Sequence, residues 1–240
     1  MQNATHMGMN RTGAKMSPID VSRMQEAAMN APETQLEGAS AATMRGEAIA
    51  EADRVGSVPL PGTVRGVVAT GISKLKGEKP EVLIDKLGER LAFERSGTRL
   101  YEALIAKCEQ PPDEGMVPPL VELRRIHDEE AQHFRLLTEV LESLGADPTA
   151  QTPSADVSAV MTQGILQVVT DPRTTIPQCL NAILVAELTD NASWELLVQL
   201  ADDGGHDALA ERLRGALAEE AQHLLSVKQW LAAALASEAT

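Results

Sequence analysis

Apolar side chains that recur at alternating steps of three and four residues mark the buried seam of a bundled helix. Four long segments after Pro80 carry such a seam, each fenced by breakers. The first runs from about Pro80 to Glu109 and is stopped by Pro111 and Pro112. The second opens at Pro118 and Pro119 and ends before Gly145, and the third runs from Thr175 and Pro177 to Gly204 and Gly205. The fourth spans about Asp207 to Ala236. Short connections make the first and last pairs antiparallel hairpins, and a connection of about 30 residues joins the hairpins as a crossover. That connection holds an amphipathic turn of helix with Val157, Val160, Met161, Ile165 and Val168 on one side. The predicted fold is all-α, a four-helix bundle over residues 80–240.

The pattern before Pro80 is different. Residues 1–58 sustain no helical period and read as a flexible arm, with a short helix expected between Ile19 and Ala28 or between Ala41 and Arg54. Met1, Met7, Met9, Met16, Met24, Met29 and Met44 all lie in it. Such a segment either binds a soft metal such as Cu(I) or is a tail too polar to offset its ordering entropy. Pro59, Pro61 and Gly62 open a linker over residues 59–79, in which Gly71, Gly77 and Pro80 keep the chain irregular or only briefly helical.

The bundle seams are apolar at their ends and ionisable in the middle. The first reads Leu83, Leu87, Leu91, Glu94, Thr98, Tyr101, Ile105; the second Leu123, Ile126, Glu130, His133, Leu137, Val140, Leu144. The third reads Leu180, Leu184, Glu187, Asn191, Trp194, Val198, Ala201; the fourth Leu209, Leu213, Ala216, Glu220, His223, Val227, Trp230. A buried, unpaired carboxylate costs several kcal/mol and responds by staying protonated. No Lys or Arg occupies these seams, so a bound cation is the remaining way to neutralise them. Two divalent ions balance four glutamates with neutral histidines.

Spacing points the same way. Glu130 with His133, and Glu220 with His223, stand three residues apart on one helix face and reach a common point. Both pairs lie in the same string, Glu-Glu-Ala-Gln-His, at residues 129–133 and 219–223. Aligning Glu94 with Glu187 sets Tyr101 opposite Trp194 and Glu102 opposite Glu195. The halves form a two-fold pseudo-repeat, which predicts two metals bridged across a pseudo-dyad.

Composition narrows the function classes. The chain has 240 residues and a net charge of −14, which argues against nucleic-acid or anionic-membrane partners, since both need a basic face. Two cysteines, Cys108 and Cys179, exclude a disulfide scaffold, a four-cysteine zinc site and a rubredoxin-type iron site; free thiols are expected. The longest uncharged stretch, residues 157–170, is too short and too polar for a spanning helix. With no apolar signal segment at the N-terminus, a cytoplasmic location is expected.

Glu94, then Glu130-Ala-Gln-His133, then Glu187, then Glu220-Ala-Gln-His223 resemble, in order and spacing, the fingerprint of the ferritin-like di-iron carboxylate superfamily, especially its bacterioferritin- and rubrerythrin-type branches. The resemblance covers about residues 80–236. It implies that Glu130 and Glu220 bridge two iron ions, with Glu94 and His133 completing one site and Glu187 and His223 the other. Mixed oxygen and nitrogen ligation also permits manganese or zinc. The chain departs from the family in that its two cysteines form no Cys-x-x-Cys pair, and with few residues after the fourth helix the short fifth helix of large cages is not expected.

The expected function is reaction of Fe(II) with dioxygen or peroxide, in a ferroxidase- or peroxidase-like oxidoreductase served by an external reductase. Iron binding and storage without an organic substrate, and a metal-free helical scaffold, are the alternatives. A monomer or a homodimer is the assembly expected of the oxidoreductase, and a shell of 12 or 24 subunits that of storage. Tyr101 and Trp194 lie two turns beyond Glu94 and Glu187; they either relay electrons at the site or fill the core, the tyrosine hydroxyl bonding a ligand. Thr98, Asn191 and Asp190 are expected to orient ligands, Asp190 through the far nitrogen of a histidine. Glu129, Glu219, Glu102 and Glu195 are rotated off the stripe and expected in solvent or along an approach path. His127, whose counterpart is Leu217, and His206 are expected at the surface.

Overall fold

The computed structural model describes residues 9–10, 12–31, 38–62, 79–111 and 115–239, and it contains helices but no strand among them. Residues 5–54 and residues 55–240 form separate compact units. The first unit holds a 3-10 turn, Ala14–Met16, then α1, Pro18–Met29, and α2, Gly38–Glu51. Both windows in which a short helix was expected are therefore helical. Pro18 starts α1, where its missing N–H costs nothing. No residue of α1 is buried, and α2 is exposed from Ala41 onward. Met1 and Met7 of the methionine-rich segment lie outside the described residues.

The second unit is built from α3 (Pro80–Glu109), α4 (Leu120–Ser143), α5 (Pro153–Thr170), α6 (Ile176–Asp203) and α7 (Asp207–Glu238). Both hairpins start and stop on local chemistry. At the end of α4, Gly145 takes φ 80° and Ala146 N–H donates to the Leu141 carbonyl. At the end of α6, Gly205 takes φ 70° and His206 N–H donates to the Ala201 carbonyl. Each is a Schellman stop, whose left-handed residue favours glycine. Thr175 opens α6 with a capping box: its hydroxyl accepts from Gln178 N–H, and Gln178 accepts from Thr175 N–H.

The long crossover is helical, as expected, and longer than a turn. It forms an 18-residue helix, α5, packed along α3 and α6, and most of its apolar side is exposed, with Ile165 and Leu166 packed against the core. Ala155, Ser158, Thr162 and Val169 are buried, whereas Val157, Val160, Met161 and Val168 are exposed and Ile165 is half-buried. Small side chains let the helix lie close, and the Thr162 hydroxyl donates to its own helix at the Ser158 carbonyl (3.1 Å), so burying it leaves nothing unpaired. Polar clamps set the register. Asp85 on α3 accepts from Ser154 N–H (2.9 Å) at the start of α5, and Lys107 donates to the Asp171 carbonyl (2.7 Å) at its end.

The linker also gains a partner. Gly62 N–H donates to the Gly145 carbonyl (3.1 Å), and Pro59 and Leu60 border a hollow shared with Ile84, Leu141 and Pro148. Residues 63–78, where irregular chain was expected, lie outside the described residues.

The core is in two parts. One apolar cluster gathers Leu100, Leu104, Leu123, Ile126, Leu180, Ile183 and Val227. The other gathers Leu83, Leu87, Leu91, Leu137, Val140, Leu197 and Leu213. Between them lies a layer of buried ionisable side chains.

Candidate metal centre

Glu94, Glu130, His133, Glu187, Glu220 and His223 are all buried, none more than 2% exposed. They arrive at one level because each long helix turns its seam inward there. Oxygen and nitrogen atoms of Glu130, Glu187, Glu220 and His223 lie within 4.8 Å of one another, as do those of Glu94, His133 and Glu220. A third group joins Glu94, Glu130, Asp190 and Glu220. These are groups that could hold a metal ion.

Both histidines point Nδ1 inward. His133 Nδ1 lies 2.7 Å from Glu220 Oε1, and His223 Nδ1 lies 3.3 Å from Glu220 Oε2. Their Nε2 atoms face outward onto carboxylates from the opposite hairpin: His133 Nε2 to Glu219 Oε2 at 2.7 Å, and His223 Nε2 to Glu129 Oε2 at 2.8 Å. Glu219 is exposed, as expected, and Glu129 is half-buried, but neither is free. Rotated one residue off the seam, they cross between α4 and α7 to reach the outer edge of an imidazole. The repeat contained this signal, because both glutamates occur at matching places in the two pentapeptides.

A second crossed pair links α3 and α6. The Tyr101 hydroxyl donates to Glu187 Oε1, and Trp194 Nε1–H donates to Glu94 Oε1 at 3.0 Å. Each aromatic thus holds the glutamate of the other helix, and both are fully packed in the core.

One buried cation corrects the charge balance read from the seams. Arg90, 2% exposed, sits one turn before Glu94. Its Nε lies 3.2 Å from Glu94 Oε1 and its Nη2 lies 3.0 Å from Asp190 Oδ1. The seam drawn through Leu91, Thr98 and Ile105 passed over it, whereas the buried line of α3 runs Leu83, Leu87, Arg90, Glu94, Gly97, Tyr101, Leu104, Cys108 and includes it. The i,i+4 spacing to Glu94 was the available signal. Asp190 accordingly pairs with Arg90 and does not reach the far nitrogen of a histidine. With Arg90 shared between Asp190 and Glu94, four glutamate carboxyl groups still face the centre.

The remaining expected neighbours divide. The Thr98 hydroxyl donates to the Glu94 backbone carbonyl at 3.0 Å, not to its carboxylate. Asn191 Nδ2 is buried with no hydrogen bond among the described residues. Half-buried His127 approaches Asp128 at 3.1 Å and exposed Glu102 at 3.6 Å. Glu195 and His206 are exposed. Cys108 and Cys179 are buried free thiols, and burial pushes the Cys108 thiol up to about 12.

Sequence reading missed one glycine. A Cβ at Gly97 would meet Glu130 Oε2 at 2.3 Å, so the absent side chain is what admits that carboxylate. Beside it is a cavity of about 10 Å³ lined by Gly97, Tyr101, Glu130, Ile183 and Glu187.

The electrostatics are those of acids denied water. Burial first, then neighbouring carboxylates, raises Glu94 and Glu130 well above the usual range and Glu187 to about 8. Asp190 is also raised by burial, against the pull of Arg90. Although burial opposes it, His223 rises to about 12 through contacts with Glu130 and Glu220, and His133 rises through Glu220 and Glu94. Glu220 is held down to about 2 by both histidines, which outweigh its burial. Oε2 of Glu94, Glu130 and Glu187 makes no hydrogen bond among the described residues. Inward oxygens left open in a dry layer fit a cation: hard oxygen donors with two imidazoles suit a first-row divalent metal.

A family model for the ferritin-like domain matches residues 84–234. The chain belongs to the ferritin-like family. No curated protein and no solved structure matched it. The match begins within α3 and ends within α7, so the ferritin-like domain takes in all four seam helices and the crossover between the hairpins. No helix among the described residues is long and apolar enough to cross a membrane.

Proposed function

We infer that this ferritin-like chain is a di-iron carboxylate protein that reacts Fe(II) with dioxygen or peroxide. The convergence of four buried glutamates and two inward-facing Nδ1 atoms, with three carboxylate oxygens left open, carries this reading. Glu130 and Glu220 would serve both metal positions, Glu94 and His133 one of them, and Glu187 and His223 the other. Bound iron would supply the redox chemistry, and manganese or zinc fits the same donors.

The protein's own contribution is positioning and exclusion. Glu129 and Glu219, as acceptors, keep a proton on each Nε2 and so present Nδ1 to the centre. Tyr101 and Trp194 each hold one oxygen of Glu187 and Glu94, which leaves the other oxygen free to ligate. The two apolar clusters close the layer above and below against water. The cavity beside Gly97 is on the scale of a single water molecule, which suits a diatomic oxidant better than an organic substrate. Tyr101 lines that space and would pass an electron or a proton to it, and an external reductase would restore the centre between turnovers.

Metal analysis of the purified chain, followed by aerobic Fe(II) titration watched by absorbance, tests the reading. Saturation at two irons per chain supports it. Continued uptake would move the function to iron storage, and absence of any metal affinity would leave a helical scaffold.

A further inference from the structure

The two halves of the centre are not equivalent, and the difference lies in four residues. Under the 93-residue offset that pairs Glu94 with Glu187, Arg90 corresponds to Ile183 and Gly97 to Asp190. In one half, an isoleucine and a glycine stand beside Glu130 and Glu187 and leave the small cavity, whose wall Asp190 also reaches. In the other, an arginine and an aspartate form a buried ion pair beside Glu94. Four ligand-bearing residues gather around His223 (Glu130, Glu187, Glu220, His223) and three around His133, while Asp190 joins Glu94, Glu130 and Glu220 in a further group. Glu94 is the contested ligand: Arg90 Nε and Trp194 Nε1 both address its Oε1, so it is already held by a positive charge. Glu187 meets only a neutral tyrosine hydroxyl at the matching place.

Resting on the di-metal reading above, we propose that the Arg90–Asp190 pair makes the centre fill in order, with the first divalent ion at Glu130, Glu187, Glu220 and His223 and the second, weaker one at Glu94, His133 and Glu220. An ion entering the second position must take Glu94 from Arg90 and sit near its guanidinium charge. In the first position the glutamate that belongs to it alone, Glu187, is held by the Tyr101 hydroxyl and by no arginine. Arg90 and Asp190 act here as positioning residues that separate a resident ion from an exchangeable one, although the chain supplies one glutamate and one histidine to each side.

Co(II), added anaerobically, is the probe. Calorimetry on the intact chain should resolve two steps whose dissociation constants differ by about tenfold or more. Crystals given one equivalent should show anomalous density in the Glu187–His223 half only. The double variant R90I/D190G copies the Ile183–Gly97 arrangement, and it should bring the two steps together and spread one equivalent over both halves. Equal occupancy in the wild-type chain, or one-sided filling that persists in the variant, would overturn the proposal. Wild-type occupancy decides the matter even if the variant fails to fold. Two equal Co(II) sites would defeat the ordering but leave the di-metal reading intact, whereas absence of binding would remove both.

Discussion

Glu219 on α7 reaches across to α4 and meets His133 Nε2 at 2.7 Å, while Glu129 returns the contact to His223 at 2.8 Å. The crossed glutamates tie the two hairpins together at the level of the centre, and they decide which imidazole nitrogen faces inward. A carboxylate on the outer nitrogen also makes the inner one a stronger donor.

E219Q and E129Q should each therefore weaken divalent-metal binding by about 10–100-fold, with the fold retained. Chelator competition with Zn(II), alongside a helical circular-dichroism spectrum, reads both quantities. Unchanged affinity in both variants would mean that these contacts do not support the ligands.

Gly97→Ala puts a Cβ 2.3 Å from Glu130 Oε2. Displacing that buried carboxylate should cost about 1–3 kcal/mol, as overpacking does, and should lower metal stoichiometry. Gly164→Ala is the contrasting case. Its new Cβ meets nothing within 4 Å on the exposed face of α5, so it should stabilise by about 1 kcal/mol through helix propensity. Denaturant melts of the two variants should move in opposite directions.

The metal-free protein should lose stability as pH rises from about 5 to 9. Glu187, raised to about 8, holds a proton in the folded state that the unfolded chain has already released above its ordinary value of 4.5. His223, raised to about 12, contributes stability in full below its ordinary 6.5 and progressively less above it. Glu220, lowered to about 2, acts oppositely: its contribution is present above 4.5 and is lost only in acid. Metal must displace the extra protons, so affinity should rise with pH over the same range. Melting temperatures with and without Zn(II), from pH 5.5 to 8.5, should diverge as pH increases. Parallel curves would contradict the assignment.

Tyr101→Phe removes the donor to Glu187 and leaves a buried carboxylate oxygen without it. The metal-free chain should be destabilised by about 1–3 kcal/mol. Metal added in excess should restore most of the loss, because it satisfies the same oxygen. A loss that metal does not recover would place the role of Tyr101 in packing alone.

The linear pattern determined the helices and the level of the acidic layer. Proline and glycine stops are local, and a seam repeating at three and four residues has one way to turn inward, so α3, α4, α6 and α7 follow from the sequence read in order. The two identical pentapeptides likewise place two glutamates and two histidines on facing helices. Tertiary structure decided the rest, since flank residues reach the centre only through the neighbours they meet. Packing decided that α3 buries the line through Arg90, Gly97 and Leu104 more deeply than the adjacent one through Thr98 and Ile105, which brings the Arg90 charge to Glu94 and Asp190. Glu129 and Glu219 look solvated on their own helices and find their histidines only across the bundle. The crossover helix buries Ala155, Ser158, Thr162 and Val169 and leaves Val157, Val160, Met161 and Val168 exposed, and Thr162 can satisfy itself in the buried layer. Periodicity reports which way a backbone faces, whereas the partner of a long or polar side chain depends on the helix packed beside it.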